Sequence, residues 1–183
     1  MNKADLVGYF ERIDKALHAP VTLCVYGSAA FMLLDEPDRT SLDVDVAAPY
    51  SCGDLADLRQ AAASAGLPIN PDADLSADHL EWISAARLCL PRPAPETETP
   101  LWQGRKLAVK TVSAPQLVAS KLIRYDEIDR SDIQYLWRQT KLGIEAVAAA
   151  VAQLPPPFYR DPLVLDNLAN LKTDIGMWSR EQA

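Results

Sequence analysis

Histidine and cysteine are scarce in this chain of 183 residues, with two of the first and three of the second. His18 and His79 lie far apart, so no histidine pair marks a metal site, and both read as structural. Cys24, Cys52 and Cys89 are odd in number and widely spaced. That excludes a disulfide frame and a thiolate zinc site, and leaves reduced, mostly buried core residues of a cytosolic protein. Positive charge is also short, with 18 Lys and Arg against 25 Asp and Glu and a net charge of -7. A broad basic surface for nucleic acid or anionic membrane is therefore excluded, while a small basic patch inside a cleft is still compatible. No apolar run approaches the length of a membrane span. The opening stretch MNKADLVGYFERIDKAL carries charge throughout and lacks the apolar centre of a signal peptide. A cytoplasmic protein with no membrane partner is expected. No internal repeat is present.

Hydrophobic residues make up 49% of the chain, enough to bury a real core. Leu6, Phe10, Ile13 and Leu17 recur at helical spacing and predict a helix over about 3–17. Val21–Tyr26 reads as a strand, Gly27-Ser28 as a turn, Ala29–Leu34 as a short helix and Leu42–Val46 as a second strand. Asp54–Ala65 follows as a helix with Gly66 at its C-cap. Leu67–Ala77 reads as loop, His79–Ala86 as helix or irregular chain, and Ala86–Leu90 as a short strand. Leu101–Val112 has strand character around Gln103-Gly104 and suggests a hairpin or an edge strand. Ser113, Pro115 and Gln116 form a helix-start signature. Helical patterns then run to the end, with the acidic run Tyr125–Asp132 as a junction capped by Asp129 or Ser131. The last helix is expected over about 162–172. The fold class is α+β, a small mixed sheet flanked by helices. Residues 1–112 form the core, and 113–183 a helical C-terminal section packed on it.

Val21–Val46 carries the main functional signal. In a strand, Asp43 and Asp45 share a face while Leu42, Val44 and Val46 point into a core. Two carboxylates held side by side repel and call for a cation. Oxygen ligands of this kind suit Mg²⁺, which brings substrate phosphates with it. Gly27-Ser28, where a strand meets a helix, offers backbone N–H groups and a hydroxyl to an anion. Lys121 lies among apolar helix residues, with Asp129 and Asp132 behind it. Taken alone, an Asp-x-Asp is most often a solvated strand edge. A lone helix lysine usually snorkels, and acids at such a junction usually cap helices. Their order along one chain gives them joint weight.

GSAAFMLLDEPDRTSLDVDV resembles the opening motif of the minimal nucleotidyltransferase superfamily, a Gly-Ser turn followed by a strand bearing Asp-x-Asp. SAPQLVASKLIRYDEIDRSDIQYLW is similar to the later motifs of the AbiEii/AbiGii abortive-infection toxin branch. The resemblance covers about residues 20–50 and 111–142. It implies a polymerase-β-like nucleotidyltransferase core and Mg²⁺ at Asp43 and Asp45. It also implies phosphate contacts at Gly27, Ser28 and Lys121, and a supporting catalytic carboxylate at Asp129 or Asp132, Asp132 preferred. Arg39 stands ahead of the Asp-x-Asp, as an arginine often does in this branch. The implied activity moves a nucleotidyl group from a nucleoside triphosphate to a hydroxyl of an RNA end or a protein. The implied setting is toxin–antitoxin or phage defence, with an antitoxin partner. The chain departs from the pattern in having no evident third acid on a middle strand and no large substrate domain. Two alternatives stand beside this one. The chain could be a catalytically weak nucleotide-binding or toxin–antitoxin interaction module, or a small-molecule nucleotidyltransferase, which usually carries a larger helical domain.

Overall fold

Leu6, Phe10, Ile13 and Leu17 are all buried, so the periodicity of the first stretch becomes the inner face of helix α1 (Lys3–Ala16). Each such side chain contributes about 1.5–3 kcal/mol on leaving water. The computed structural model describes residues 1–71 and 76–181. The chain divides into two compact units, one of Met1–Leu88 with Pro95–Val112, the other of Cys89–Ala94 with Ser113–Ala183.

In the first unit α1 is followed by β1 (Val21–Cys24), α2 (Gly27–Leu33), β2 (Asp43–Ala47) and α3 (Leu55–Ala65). Then come β3 (His79–Ile83), β4 (Thr99–Gln103) and β5 (Leu107–Thr111). Strand β5 is central to one sheet, parallel to β1 and antiparallel to β4. Strands β2 and β3 form a separate parallel pair. An antiparallel bridge between Val25 and Val46 ties the two sheets, and Tyr26 N–H donates to the Asp45 carbonyl at 3.0 Å. The unit is thus mixed α/β, with its sheet in two short pieces. Val44 and Val46 are fully buried and the alternate Asp43 and Asp45 are half-buried, the period-two pattern of a strand with one core face.

Helix α3 begins at the expected place, with the Asp54 carboxylate accepting from the Ala56 and Asp57 N–H groups. It ends with Gly66 at φ +82°, a left-handed cap that glycine adopts without steric cost. The expected hairpin is present as β4–β5, with the Asp14 carboxylate of α1 accepting from the Lys106 and Leu107 N–H groups beyond its turn.

The second unit holds α4 (Ala114–Lys121), α5 (Glu127–Thr140), α6 (Ile144–Val151) and α7 (Pro162–Glu181). Ser113 and Gln116 make the capping box that starts α4. Leu117, Leu122, Ile133, Val147 and Leu171 are buried, and Trp137 meets Trp178 at 5.8 Å between ring centres.

Several expectations change. His79–Ile83 is a strand, not a helix or irregular chain, because it finds β2 as a parallel partner. Ala86–Leu90 forms no strand and is turn-like. Leu42 stays out of the core, 54% exposed, since β2 begins one residue later. Gly27 and Ser28 are the first turn of α2 and do not precede it. The cap of α5 is Asp126, whose carboxylate accepts from Asp129 N–H, so neither Asp129 nor Ser131 fills that role. Helix α7 reaches Glu181, well beyond residue 172. Cys24 is buried, Cys89 half-buried and Cys52 exposed, so burial does not extend to all three thiols. Part of the loop expected over Leu67–Ala77, residues 72–75, lies outside the described residues. No helix among the described residues is long and apolar enough to cross a membrane.

Candidate functional site

The register of β2 against β3 builds the site. Asp43 pairs with His79 and Asp45 with Glu81. Residues two apart share a face, so these four form one tile on one side of the strand pair. Oxygens of Asp43, Asp45 and Glu81 lie within 4.8 Å of one another, all half-buried. Glu81 was not singled out from the sequence. Its strand was not recognised there, so its register with Asp45 had no basis. The only local sign was the short run His79–Ile83, whose polar and apolar residues alternate over its first four positions alone.

Neighbouring groups hold this trio. The Ser41 hydroxyl donates to Asp43 Oδ1 at 2.7 Å. Arg87 Nη2 donates to Glu81 Oε1 at 2.8 Å. Gly27 closes the other side. A Cβ built there would lie 2.2 Å from Asp45 Oδ2, and its φ is +63°. Only glycine satisfies both the left-handed backbone and the close approach of a carboxylate. The Gly27-Ser28 turn and the Asp-x-Asp strand are therefore in contact.

Arg39, which stands ahead of the Asp-x-Asp, has a definite neighbour here. Its Nη2 donates to Ser28 Oγ at 2.9 Å, and its Nε lies 3.8 Å from Glu36 Oε2. The Ser28 oxygen accepts this bond and keeps its own proton to donate. A cleft of about 660 Å³ opens beside the acids, lined by Leu42, Asp43, Asn70, His79, Glu81 and Arg87 among others.

Lys121, Asp129 and Asp132 belong to the second unit, where they meet one another. The chain leaves α4 at Lys121 and enters α5 at Glu127, with Tyr125 at φ +56° between them. Lys121 Nζ lies 3.0 Å from Asp129 Oδ1 and 2.5 Å from Asp132 Oδ2. All three side chains are buried. Arg124 reaches Asp129 with both Nε and Nη2 at 3.0 Å. Burial pushes the Asp129 carboxyl up. The Arg124 hydrogen bond and the Lys121 ammonium outweigh that and hold it below the usual carboxylate range. The residues that the sequence grouped behind Lys121 form a buried ion network around it. A second network stands nearby in the same unit, with the Tyr125 hydroxyl and the Arg130 guanidinium both donating to Asp174. No local pattern marks it, because Asp174 lies on a helix turn beyond the expected end of α7.

Three hard oxygen donors on one face fit a divalent cation such as Mg²⁺. Glu81 is a third carboxylate, on the strand paired with the Asp-x-Asp strand, that the sequence did not reveal. The chain matches no protein-family model, and searches of curated proteins and of solved structures give no significant match.

Proposed function

We propose that the first unit is the core of a Mg²⁺-dependent nucleotidyltransferase, built on Asp43, Asp45 and Glu81. One observation carries this reading, the meeting of three carboxylates with Gly27 held against Asp45. The resemblance of the Gly-Ser turn and the Asp-x-Asp strand to the superfamily supports it from the sequence side. So does the presence of an acid on the paired strand.

In this reading Asp43, Asp45 and Glu81 hold the metal ion. When bound, the ion supplies positive charge to the attacking and leaving oxygens and brings the triphosphate to the site. The Ser28 hydroxyl, steadied by Arg39, and the Gly27 backbone contact phosphate oxygens. The cleft beside Asp43 and Glu81 admits the acceptor. The acceptor hydroxyl gives up its proton to water, its oxygen bonds to the α-phosphorus, the bond from that phosphorus to the β-phosphate oxygen breaks, and pyrophosphate leaves. The acceptor is a hydroxyl of an RNA end or a protein. The net charge of -7 favours a local contact with it over a broad one. A toxin–antitoxin or phage-defence setting, with an antitoxin partner, belongs to the same proposal. The reading rests on residues of the first unit alone.

The test is incubation of the protein with labelled ATP, GTP, CTP or UTP, Mg²⁺ and total RNA. Label is expected on RNA or on protein and is expected to vanish in the Asp43→Ala/Asp45→Ala variant. Triphosphate binding without transfer would favour the binding-module alternative. Failure to bind either nucleotide or divalent metal would overturn both.

A further inference from the structure

Asn70 is a side chain held at one end and open at the other. Residues 68–70 run parallel to β3, where Leu80 N–H donates to the Pro68 carbonyl and Asn70 N–H to the Leu80 carbonyl, each at 2.9 Å. The next step of such a ladder would take Trp82 N–H to the Asn70 carbonyl. Asn70 has φ +44°, which turns its main chain out of the ladder, and its Oδ1 accepts from Trp82 N–H at 2.7 Å instead. That bond identifies the oxygen, so the outer end of the amide is the donor Nδ2. Nδ2 donates to no described residue, and Asn70 lines the cleft beside the acids.

His79 is arranged in the same way on the strand itself. Only 5% of it is exposed, and it lines the same cleft. Its Nδ1 lies 2.8 Å from the Ala77 carbonyl oxygen. A carbonyl only accepts, so Nδ1 carries a proton, and in the neutral ring the lone pair stands on Nε2. No described residue bonds to Nε2. Each of the two side chains is fixed by a backbone group behind it. Each keeps one polar atom for the cleft, a donor on Asn70 and an acceptor on His79. The exposed Leu42 and the ring of Pro71 add apolar wall.

Apolar wall with a few oriented polar groups suits a small rigid ligand. The reacting hydroxyl belongs at the three acids, so another group of the acceptor meets this pair. A nucleobase carries a donor and an acceptor side by side on one rigid edge. A trans peptide group does not, because its N–H and C=O point to opposite sides. We propose that Asn70 and His79 are a base-reading pair: Nδ2 donates to, and Nε2 accepts from, the edge of a nucleobase that adjoins the reacting hydroxyl. This rests on the nucleotidyltransferase reading given above, in which the cleft admits the acceptor, and it favours the RNA end over a protein. Every base has such an edge, so the pair tells an acceptor with a base from one without.

The probes are adenosine, cytidine, guanosine and uridine, with ribose as the control, added to the full chain without metal or triphosphate. Nuclear magnetic resonance of the Asn70 side-chain amide and the His79 ring nitrogens is the readout. At least one nucleoside is expected to move both signals, and ribose neither. Asn70→Asp keeps an oxygen for Trp82 N–H and replaces the donor by an acceptor, so it is expected to weaken that nucleoside about tenfold. His79→Phe keeps a buried ring without the acceptor, and a loss of similar size is expected. No response to any nucleoside, an equal response to ribose, or undiminished binding by Asn70→Asp overturns the pair. The labelled-triphosphate assay separates this from the reading beneath it. Transfer to RNA that Asn70→Asp leaves unchanged, or transfer to protein alone, overturns the pair and leaves the nucleotidyltransferase standing. Nucleoside binding at Asn70 and His79 without any transfer supports the pair as a base site and overturns the transferase.

Discussion

Gly27 is the residue on which the proposed site is most sensitive to a small change. Its φ of +63° is costly for any L side chain, by about 1–2 kcal/mol. Beyond that backbone cost, a methyl at this position would meet the Asp45 carboxylate at 2.2 Å and force it aside. Gly27→Ala is therefore expected to lower stability by about 1–2 kcal/mol. It is also expected to weaken Mn²⁺ binding at least tenfold, read by denaturant titration and by calorimetry. A loss of stability with unchanged Mn²⁺ affinity would separate Gly27 from the acids. The same contact shows what the sequence could and could not reveal. Gly27, Ser28, Asp43 and Asp45 are legible because each is the kind of residue that its local position demands. Glu81 and Arg87 are ordinary charged residues in an ordinary stretch, and nothing local distinguishes them.

Elements decide those cases. Strand β3 is short and carries Glu81 and Trp82 on its less buried positions, so its hydrophobic pattern is too weak to read alone. It becomes a strand by pairing with β2, whose own alternation is clear. Leu80 is fully buried, while Glu81 is carried to the face that bears Asp45. The junction between α4 and α5 makes the complementary point. The helix breaks between Lys121 and Asp132, yet α4 and α5 pack so that the ammonium reaches both Asp129 and Asp132. This predicts a structural consequence for Lys121→Met. Removing the cation from two buried carboxylates is expected to cost about 3–5 kcal/mol of stability, seen as a lower urea midpoint. A lysine that served only to meet a phosphate would leave the midpoint unchanged. The double change Lys121→Met/Asp132→Leu removes charge of both signs and is expected to recover part of the loss.

Carboxylates spread across the molecule, Asp14, Asp57 and Asp129, are held below their usual range for different local reasons. For Asp14, burial raises the value but the Leu107 and Lys106 N–H groups more than offset it. For Asp57, the His18 hydrogen bond dominates. For Asp129, burial is overcome by Arg124 and Lys121. A folded-state value below the unfolded one gives stability that is fully present above the unfolded value and is lost as pH falls through the folded one. The urea midpoint is therefore expected to be level from neutral pH to about pH 5 and to fall below about pH 4, where carboxyl groups of the unfolded chain take up protons. In Asp129→Asn the neutral-pH midpoint should drop and the acid-side decline should become shallower. By itself the sequence determined the helix faces, the caps at Ser113 and Gly66, the strand nature of Val44–Val46, and the side-by-side acids. All of these follow from periods and turn chemistry within a few residues. Only the tertiary structure decided the partner of β2, the third carboxylate, the cation across it and the counter-charges of Lys121. The first two join segments far apart in the chain, and the contacts of Arg87 and Lys121 close only once a turn or a helix junction has folded. Which segments pair is set by the burial that their meeting achieves, and no local pattern encodes it.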